Sequence, residues 1–447
     1  LYYQAAFEDG YDLWQHDLKD GSTKLVMKGV GQGNLQTDKD VKNLFICNGS
    51  SIKKVDLSGF STKDISFEAN FNYKPAEERQ YLFDHIWRQV KDKFYDPKIH
   101  GVDWEGYRKT YEKFLPYINN NFDFQEMLSE MLGELNASHT GARYYASNSA
   151  LTTANLGVFF DPQYKGDGLK IQEIIKRGPF DVKNTGVTAG SIIERIYGEE
   201  IKAGMAYFPL LDGKVGKNVR LGIRNAKGKK MEVTVKAISQ GKLNNLLYKR
   251  WVDRNRAFVD SISGGRIAYV HVKAMDSESF RTVYSELLSD KNRNRDAVIV
   301  DERHNGGGWL HDDLCTLLNG KQYQEFVPHG KVVGRDPFNK WVKPSCVMIC
   351  ENDYSNGHGF PWVYKELGIG KLIGAPVAGT MTAVWWETLM DNTLVFGIPQ
   401  VGCRDMRGVF GENTQLNPDI EVYNSPEDFI NGHDTQLERA VKEMMKK

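Results

Sequence analysis

The sequence predicts a multidomain α+β protein. A chain of 447 residues is too long for one small core and is typical of two to four domains. Along it the apolar pattern changes from short strands to amphipathic helices, then to strands rich in glycine, and finally to apolar strands alternating with helices. We therefore predict four domains, with the boundaries 1–72, 73–150, 151–242 and 243–447.

Residues 1–72 contain two similar strand–turn–strand units. "GYDLWQHDLKDGSTKLV" places an Asp-Gly turn, and "NLFICNGSSIKKVDL" an Asn-Gly turn, between strand-like segments. A closed propeller needs at least about four blades. We therefore predict a truncated, propeller-like β piece.

Residues 73–150 are predicted to be helical. "PAEERQYLFDHIWRQVKDKFYD" repeats Leu82, Ile86, Val90 and Phe94 at four-residue steps, which indicates one buried face. In "FDFQEMLSEMLGELNASHTGARY" we expect a second helix with Asp123 as its N-cap. It should end near residue 136, so that residue 139 follows the helix end.

The two C-terminal domains differ in their strand pattern. Residues 155–240 combine strand-like segments with glycines, which predicts a compact β-rich domain. Beyond them, "RIAYVHV", "DAVIVDER", "PSCVMICEN" and "KLIGAP" are almost continuously apolar and alternate with helical segments. That pattern is typical of a sheet covered on both faces.

Composition excludes several classes of function. Lys+Arg and Asp+Glu are 58 each, so no basic field favours nucleic acid, and no apolar run approaches the ~20 residues that span a bilayer. The five scattered cysteines, Cys346 and Cys350 among them, predict buried thiols rather than a disulfide framework. The chain starts at Leu1 without a signal-peptide pattern, so we expect a fragment or processed form and soluble partners.

Ser355 stands where the strand-like "CVMIC" meets the helix-like "GFPWVYKELG", within "CENDYSNGHGF". A serine before a helix is usually an N-cap. The same position places its hydroxyl near backbone N–H groups that stabilise negative charge, as a nucleophile requires. His358, three residues further along, is poorly placed to act as its base.

The segment "DERHNGGGWLHDD" joins a buried strand to three consecutive glycines. A flexible turn is the simple interpretation, but a close approach of backbone to ligand would use the N–H groups of Gly306 or Gly307 as oxyanion donors. No P-loop lysine follows. His304 and His311 lack a third metal ligand nearby, so we expect neither a metal nor another cofactor.

Two further residues are candidates for catalysis, although the role of each candidate is ambiguous when it is considered alone. His139, in "NASHTG", is a natural general base at a helix exit. Glu412, in "GVFGENTQLNPDIEV", would orient a second group, although a solvated loop carboxylate is the commoner role for a single glutamate.

In chain order these segments resemble the tricorn protease family, the tricorn-type branch of the carboxy-terminal processing serine peptidases. "YLFDHIWRQVKDKFYDPKIHGVDW", "GELNASHTG", "ERHNGGG", "NDYSNGHGFPWVYKELGIGKLIG" and "GENTQLNPDIEV" carry the likeness, which covers nearly the whole chain. The resemblance implies a propeller remnant, a helical domain, a PDZ-like domain with "YKGDGLKIQEI", and a crotonase/ClpP-like catalytic domain.

The resemblance also implies the roles of the site residues. Ser355 is the expected nucleophile and His139 the general base, with Ser138 and Glu412 completing a Ser-His-Ser-Glu tetrad. An N–H in Gly306–Gly307 and the N–H of Asn356 are the expected oxyanion donors.

The sequence departs from the family pattern at three points. The family commonly has Asp where Asn356 follows the nucleophile, and "Asn-x-Gly-Val" where this chain has "Asn-Thr-Gln-Leu" after Glu412. "VAGTMTAVWWETL" replaces a "TWGG"-like stretch that shapes the cleft, so the family's substrate preference does not transfer. Asp336, in "VGRDPF", is a candidate for binding the substrate.

We therefore expect a serine peptidase that cleaves peptides or unfolded polypeptides through an acyl-enzyme. One alternative is a catalytically silent protein that binds peptides through its PDZ-like and β domains, and another is a crotonase-like acyl hydrolase. Homo-oligomerisation and the compartment, bacterial or archaeal cytoplasm or periplasm, are left open.

Overall fold

The structure is a computed structural model, and it describes residues 1–7, 10–49, 51–68, 70, 72–146, 152–183 and 185–446. The predicted boundary between residues 150 and 151 lies outside these ranges. The chain forms two compact units, Leu1–Pro75 and Ala76–Lys447.

The first unit consists of two antiparallel sheets. Its strands are β1 (Tyr2–Phe7), β2 (Gly10–His16), β3 (Thr23–Met27), β4 (Asn34–Thr37), β5 (Asn43–Cys47), β6 (Ile52–Asp56) and β7 (Thr62–Ile65). They pair in the orders β1-β2-β3 and β4-β5-β6-β7. The buried side chains of Leu13, Leu44, Ile46 and Val55 supply a small apolar core.

The second unit begins with the predicted helices. They are α1 (Pro75–Lys93), α2 (Trp104–Glu112) and α3 (Asn121–Gly133), and the short strand β8 (Ala142–Tyr144) follows them. The predicted α1 stripe is confirmed, because Leu82, Ile86, Val90 and Phe94 are all buried in one cluster. The predicted cap of α3 was wrong: Asn120 is the N-cap, and its side chain accepts the N–H of Asp123 at 2.9 Å.

A six-stranded antiparallel sheet follows. Its strands are β9 (Val158–Phe160), β10 (Leu169–Ile174), β11 (Ile192–Ile196), β12 (Glu199–Glu200), β13 (Asn218–Arg224) and β14 (Lys230–Lys236). They run in the order β14-β13-β11-β10-β9, and β12 pairs with β11. Residues 152–183 and 185–239 contain no α-helix.

The remaining elements build the α/β region. In chain order they are α4 (Gln240–Ile262), β15 (Ile267–His271), α5 (Ser277–Leu287), α6 (Asp290–Arg293), β16 (Ala297–Asp301), α7 (His311–Leu318), β17 (Gln324–Phe326), β18 (Gly334–Asp336), β19 (Ser345–Ile349), α8 (Asn356–Glu366), β20 (Lys371–Gly374), β21 (Thr382–Thr388), β22 (Leu394–Gly402), β23 (Ile420–Glu421), α9 (Pro426–Asn431) and α10 (Thr435–Met444).

A parallel sheet in the order β15-β16-β19-β20-β23 is the centre of this region. Every residue of β15, β16 and β19 is buried, as expected for a sheet covered on both faces. Helices α5, α7 and α8 pack on one face and α4 and α10 on the other. Cys346 and Cys350 are buried at β19, as predicted.

One small sheet joins segments that are far apart in sequence. β21 and β22 pair with each other, and β22 also pairs with β8 in the order β21-β22-β8. Phe396 and Ile398 of β22 belong to the apolar cluster of α1 and α3. The sequence assigned residues 382–402 to the α/β domain, and the structure packs Leu394, Phe396 and Ile398 of this segment against the helical region. Among the described residues, no helix is long and apolar enough to cross a membrane.

Candidate active site

The candidate site is assembled at the carboxyl ends of β16 and β19. Because these strands are parallel neighbours, the loops that follow them lie side by side. The N–H of Tyr354 donates to the carbonyl of Asn305 at 2.9 Å, and the N–H of Asn305 donates to the Asp353 carboxyl at 3.2 Å. Burial raises the pKa of Asp353 to about 8. The two loops are therefore fixed against each other.

Ser355 occupies the N-cap position of α8 without capping it. Its side chain makes no capping hydrogen bond, and its φ and ψ of 58° and −119° are unusual for a residue with a side chain. Its N–H donates to the hydroxyl of Thr380 at 2.9 Å. The structure thus disfavours the N-cap interpretation, and the Ser355 hydroxyl lines a cavity at the helix N-terminus.

His139 lines the same cavity from the loop after α3. It has a positive φ of 62°, and its N–H donates to the Tyr354 hydroxyl at 2.7 Å. The rings of His139 and Tyr354 are 4.8 Å apart. A Cβ on Gly397 would come within 2.4 Å of the His139 carbonyl oxygen, so β22 supports this loop by close backbone contact. Burial lowers the pKa of His139 to about 4.

A hydrogen-bonded relay leads from Glu412 to His139. The carboxylate of Glu412 accepts the N–H of Ser138 at 2.5 Å and the hydroxyl of Ser138 at 2.9 Å. The Ser138 oxygen lies 2.7 Å from Nδ1 of His139. Since the single hydroxyl proton goes to the carboxylate, Ser138 accepts from Nδ1–H, and the lone pair of Nε2 is left for a proton.

Glu412 itself is buried, with 5% of its surface exposed. Burial raises its pKa, while the two hydrogen bonds from Ser138 oppose that rise. The alternative of a solvated loop carboxylate therefore does not fit Glu412, because its side chain is buried. Among the described residues no hydrogen bond joins Ser355 to His139 directly, and both side chains line the same cavity.

The oxyanion donors stay a prediction, and the hydrogen bonds of the glycine loop favour one of its two candidate glycines. Gly307 donates its N–H to the side-chain oxygen of Asn305 at 2.8 Å, so this group is already used. The N–H groups of Gly306 and Asn356 have no acceptor within the described chain, and both residues line the cavity. Gly307 matters in another way, because a Cβ there would lie 2.5 Å from Cβ of Ser355.

The side chain of Asn356 braces the glycine loop. Its oxygen accepts the N–H groups of Leu310 at 2.8 Å and His311 at 3.1 Å, while its nitrogen lies 2.9 Å from Nδ1 of His311. An aspartate would supply the acceptor oxygens but not the donor. The departure from the family pattern at this position is thus matched by a histidine partner.

Sequence reasoning missed three residues that position the site. Tyr354 holds the base loop, Thr380 holds the backbone of Ser355, and the Thr382 hydroxyl lies 3.1 Å from both Nδ1 of His139 and Oγ of Ser138. Tyr354 precedes the nucleophile directly, and both threonines stand in the atypical segment "AGTMT". The sequence signal that could have identified these residues was their position next to the nucleophile or within this atypical segment.

His358 and Asp336 take other places than those considered for them. Nδ1 of His358 lies 3.3 Å from the N–H of Thr380, so this buried histidine supports the threonine and is not set to act as a base. Asp336 lies on the β17–β18 hairpin, where its carboxylate accepts from Gln324 at 2.7 Å, and it does not line the cavity. Its candidate role at the substrate is therefore not supported by its position.

The cavity has a volume of about 700 Å³. Besides the site residues, its walls are mostly apolar or small and include Trp309, Trp362, Met381, Val384 and Trp386. Within the described ranges, no group of three or more His, Cys, Asp or Glu side chains is arranged to hold a metal ion.

Two family models match parts of this chain. Residues 266–422 match peptidase family S41, and residues 75–133 match the tricorn protease C1 domain. Peptidase family S41 is a family of serine peptidases, and the match spans the segments of Gly306, Ser355 and Glu412.

Two curated relatives are similar to nearly the whole chain. The chain is 26% identical over 458 residues to "Tricorn protease homolog" of Saccharolobus solfataricus, a match that covers 96% of this chain and 41% of that protein. It is 24% identical over 462 residues to "Tricorn protease" of Thermoplasma acidophilum, covering 98% and 42%. These matches confirm the resemblance to the tricorn protease family.

A solved structure has a similar fold. The crystal structure of the tricorn protease superposes with a TM-score of 0.82 at 22% identity, over 98% of this chain and 43% of that one. The chain therefore spans about two fifths of the length of these relatives.

Proposed function

We propose that the chain hydrolyses peptide bonds in peptides or unfolded polypeptides through an acyl-enzyme on Ser355. The observation that carries this proposal is the Glu412–Ser138–His139 relay, which ends at the cavity that also holds the uncapped hydroxyl of Ser355. A serine kept out of its capping role and a histidine kept in the basic tautomer are what nucleophilic catalysis requires.

The first half of the reaction follows from where the protons lie on Ser355, His139 and Ser138. Nε2 of His139 takes the proton of the Ser355 hydroxyl as the oxygen attacks the scissile carbonyl carbon. The resulting oxyanion is stabilised by the N–H groups of Gly306 and Asn356 and by the N-terminal end of α8. His139 then returns the proton to the leaving amine, and a water repeats the sequence to release the acid.

Glu412 acts through Ser138 and is a positioning residue. While His139 carries the proton, its Nδ1–H donates to Ser138, and the serine proton points to the carboxylate. The positive charge of the imidazolium is thereby stabilised by an ionised group two hydrogen bonds away.

We assign the remaining parts of the chain to supporting roles. The four-stranded antiparallel sheet β4–β7, which has the strand number of a propeller blade, is the proposed propeller remnant, and the antiparallel β9–β14 sheet is the proposed PDZ-like domain. Since residues 152–183 and 185–239 provide no α-helix beside an edge strand, a bracing role fits that sheet better than peptide capture. The parallel sheet with α4–α8 and α10 is the proposed crotonase/ClpP-like catalytic domain.

An acyl-CoA hydrolase is the second candidate, because the glycine loop would equally hold an enolate or thioester oxygen. Coenzyme A carries several phosphates and needs a cluster of cations. Arg143 is the one arginine or lysine among the described residues that line the cavity, which favours the peptidase.

Labelling with a fluorophosphonate tests the proposal. We expect wild type to be labelled and Ser355→Ala and His139→Ala to be unlabelled. Ser425→Ala is the matched control, because Ser425 is a true N-cap whose side chain accepts the N–H of Asp428 at 3.0 Å. Unlabelled wild type, or equal labelling of Ser355→Ala, would overturn the mechanism, and a paired screen of peptides and acyl-CoA thioesters separates the two enzyme classes.

A further inference from the structure

The charges that line the catalytic cavity are unbalanced. Arg143, an exposed residue, lines this cavity, and no aspartate or glutamate is among the described lining residues. Apolar neighbours such as Trp309, Trp362 and Val384 surround much of the remaining wall. A cation in a cleft with low-dielectric walls creates a local positive potential that attracts anions.

Arg143 is held in place without being neutralised. It lies on β8, and its guanidinium carbon is 3.9 Å from the ring centroid of Trp386. Stacking of this kind uses the face of the guanidinium, so the N–H groups at its edge remain able to donate. Within the described chain the side chain makes no ion pair and no hydrogen bond.

Other arginines of this chain show the contrast. Arg108 is paired with the carboxylates of Asp84 and Glu112, and Arg303 with those of Asp301 and Asp434. These arginines have structural partners that use their donors. Arg143 keeps its donors while its position is restricted by an aromatic ring.

The aromatic ring reaches Arg143 because β22 has a glycine beneath it. Trp386 pairs with Gly397 across the β21–β22 ladder, and a Cβ on Gly397 would lie 2.9 Å from Cζ3 of that ring. Since the same glycine touches the carbonyl of His139, the ring, the arginine and the base share one backbone support.

We infer that Arg143, stacked on Trp386, is a specificity subsite that binds a carboxylate of the substrate beside the scissile bond. This inference rests on the proposed peptidase function and names its substrate class: peptides that carry an anion near the cleaved bond. The carboxylate has two sources, the side chain of Asp or Glu and the free C-terminus of a short peptide. The planar guanidinium suits both because it donates two parallel hydrogen bonds to a carboxylate.

Binding is measured on the Ser355→Ala protein, so that turnover does not interfere. Short peptides carry Glu or Gln at one position at a time, each with a free or an amidated C-terminus, and calorimetry gives Kd. Loss of a charge-assisted hydrogen bond is expected to weaken binding of the carboxylate peptides by about 10- to 100-fold in Arg143→Met. The neutral peptides should bind as before.

Two controls make the result specific. Arg88→Met removes an exposed arginine of α1 that does not line the cavity, and it should leave every Kd unchanged. Arg143→Lys keeps the positive charge but loses the planar guanidinium that donates two parallel hydrogen bonds, so it should retain part of the preference for carboxylate peptides. Thermal melting verifies that each variant is folded, and raising the salt concentration should reduce the preference in wild type.

The outcomes distinguish the two sources of the carboxylate, and they distinguish failure of the subsite from failure of the peptidase proposal. Preference for Glu over Gln with an amidated end identifies a side-chain carboxylate, and preference for a free over an amidated end identifies the C-terminus. If folded Arg143→Met binds charged and neutral peptides as wild type does, the subsite is refuted even when fluorophosphonate labelling succeeds. If labelling of wild type fails, the peptidase proposal falls, whereas the binding data still judge the subsite.

Discussion

Replacing Glu412 with glutamine is the sharpest test of the relay. The amide oxygen can keep the bond from the N–H of Ser138, so the amide nitrogen must face the Ser138 hydroxyl. That nitrogen donates, and the hydroxyl proton then turns toward Nδ1 of His139 at 2.7 Å in preference to the Thr382 hydroxyl at 3.1 Å. The proton of the imidazole then lies on Nε2, which is the wrong tautomer for a base.

The magnitude follows from the bonds that are lost. One hydrogen bond to a charged acceptor contributes about 2 to 3 kcal/mol, which corresponds to roughly 30- to 150-fold in rate. Loss of general-base function sets the upper limit at about 10⁴-fold. We therefore expect Glu412→Gln to lower kcat by about 10²- to 10³-fold. Since Glu412 does not line the cavity, KM should stay the same.

Steady-state hydrolysis of a peptide measures this effect, with Glu126→Gln as the control. Glu126 lies on the exposed face of α3, and its change should leave kcat unaltered. Near-wild-type kcat in a folded Glu412→Gln protein would refute the tautomer argument. A parallel rise in KM would instead show that Glu412 contacts the substrate.

The remaining predictions concern the base, the glycine loop and the nucleophile's backbone. Burial lowers the pKa of His139 to about 4, and only neutral imidazole accepts a proton. As the pH is lowered, kcat/KM should therefore begin to fall only below the ordinary histidine pKa of about 6.5. An acidic limb of the pH profile with its midpoint at or above about 6.5 would contradict the effect of burial. Gly307→Ala should abolish labelling and lower Tm, because its Cβ would meet Ser355 at 2.5 Å, whereas Gly330→Ala, at a φ of 76° but in open space, should affect neither labelling nor kcat. Thr380→Val should slow labelling about tenfold by leaving the N–H of Ser355 without an acceptor, and Thr380→Ser should restore it; equal rates in both would refute this role.

Local patterns predicted the elements well where burial follows a regular period. The α1 stripe was visible because helix geometry sets its period, and the strands of the parallel sheet were visible as continuous apolar runs because both of their faces are buried. The cap of α3 was misplaced by three residues because Asn120 and Asp123 are both good capping residues. Sequence alone does not rank two such neighbours.

Contacts between distant segments were harder to predict. The pairing of β8 with β22 joins residues about 250 positions apart, and no local pattern encodes the register of such a ladder. For the same reason the sequence placed β21 and β22 with the α/β domain. The supporting hydroxyls of Thr380 and Thr382 were missed because their function exists only after that assembly.

The choice between Gly306 and Gly307 as oxyanion donor was left open by the sequence for a different physical reason. Three consecutive glycines present three N–H groups, and the choice among them depends on which one the loop itself consumes. Asn305 takes the N–H of Gly307 and leaves that of Gly306. Composition shows that the backbone can approach a ligand, but only the hydrogen bonds of the folded loop show which donor remains.

The same loops explain why the base and the nucleophile depend on each other although they lie 216 positions apart in the chain. Tyr354 accepts the N–H of His139, and its own N–H is bonded to Asn305 in the glycine loop. The residue directly before the nucleophile thus fixes the backbone of the base. A shift of either loop moves both groups together, so the hydroxyl, the imidazole and the N–H groups of Gly306 and Asn356 keep their relative positions only when both loops are in place.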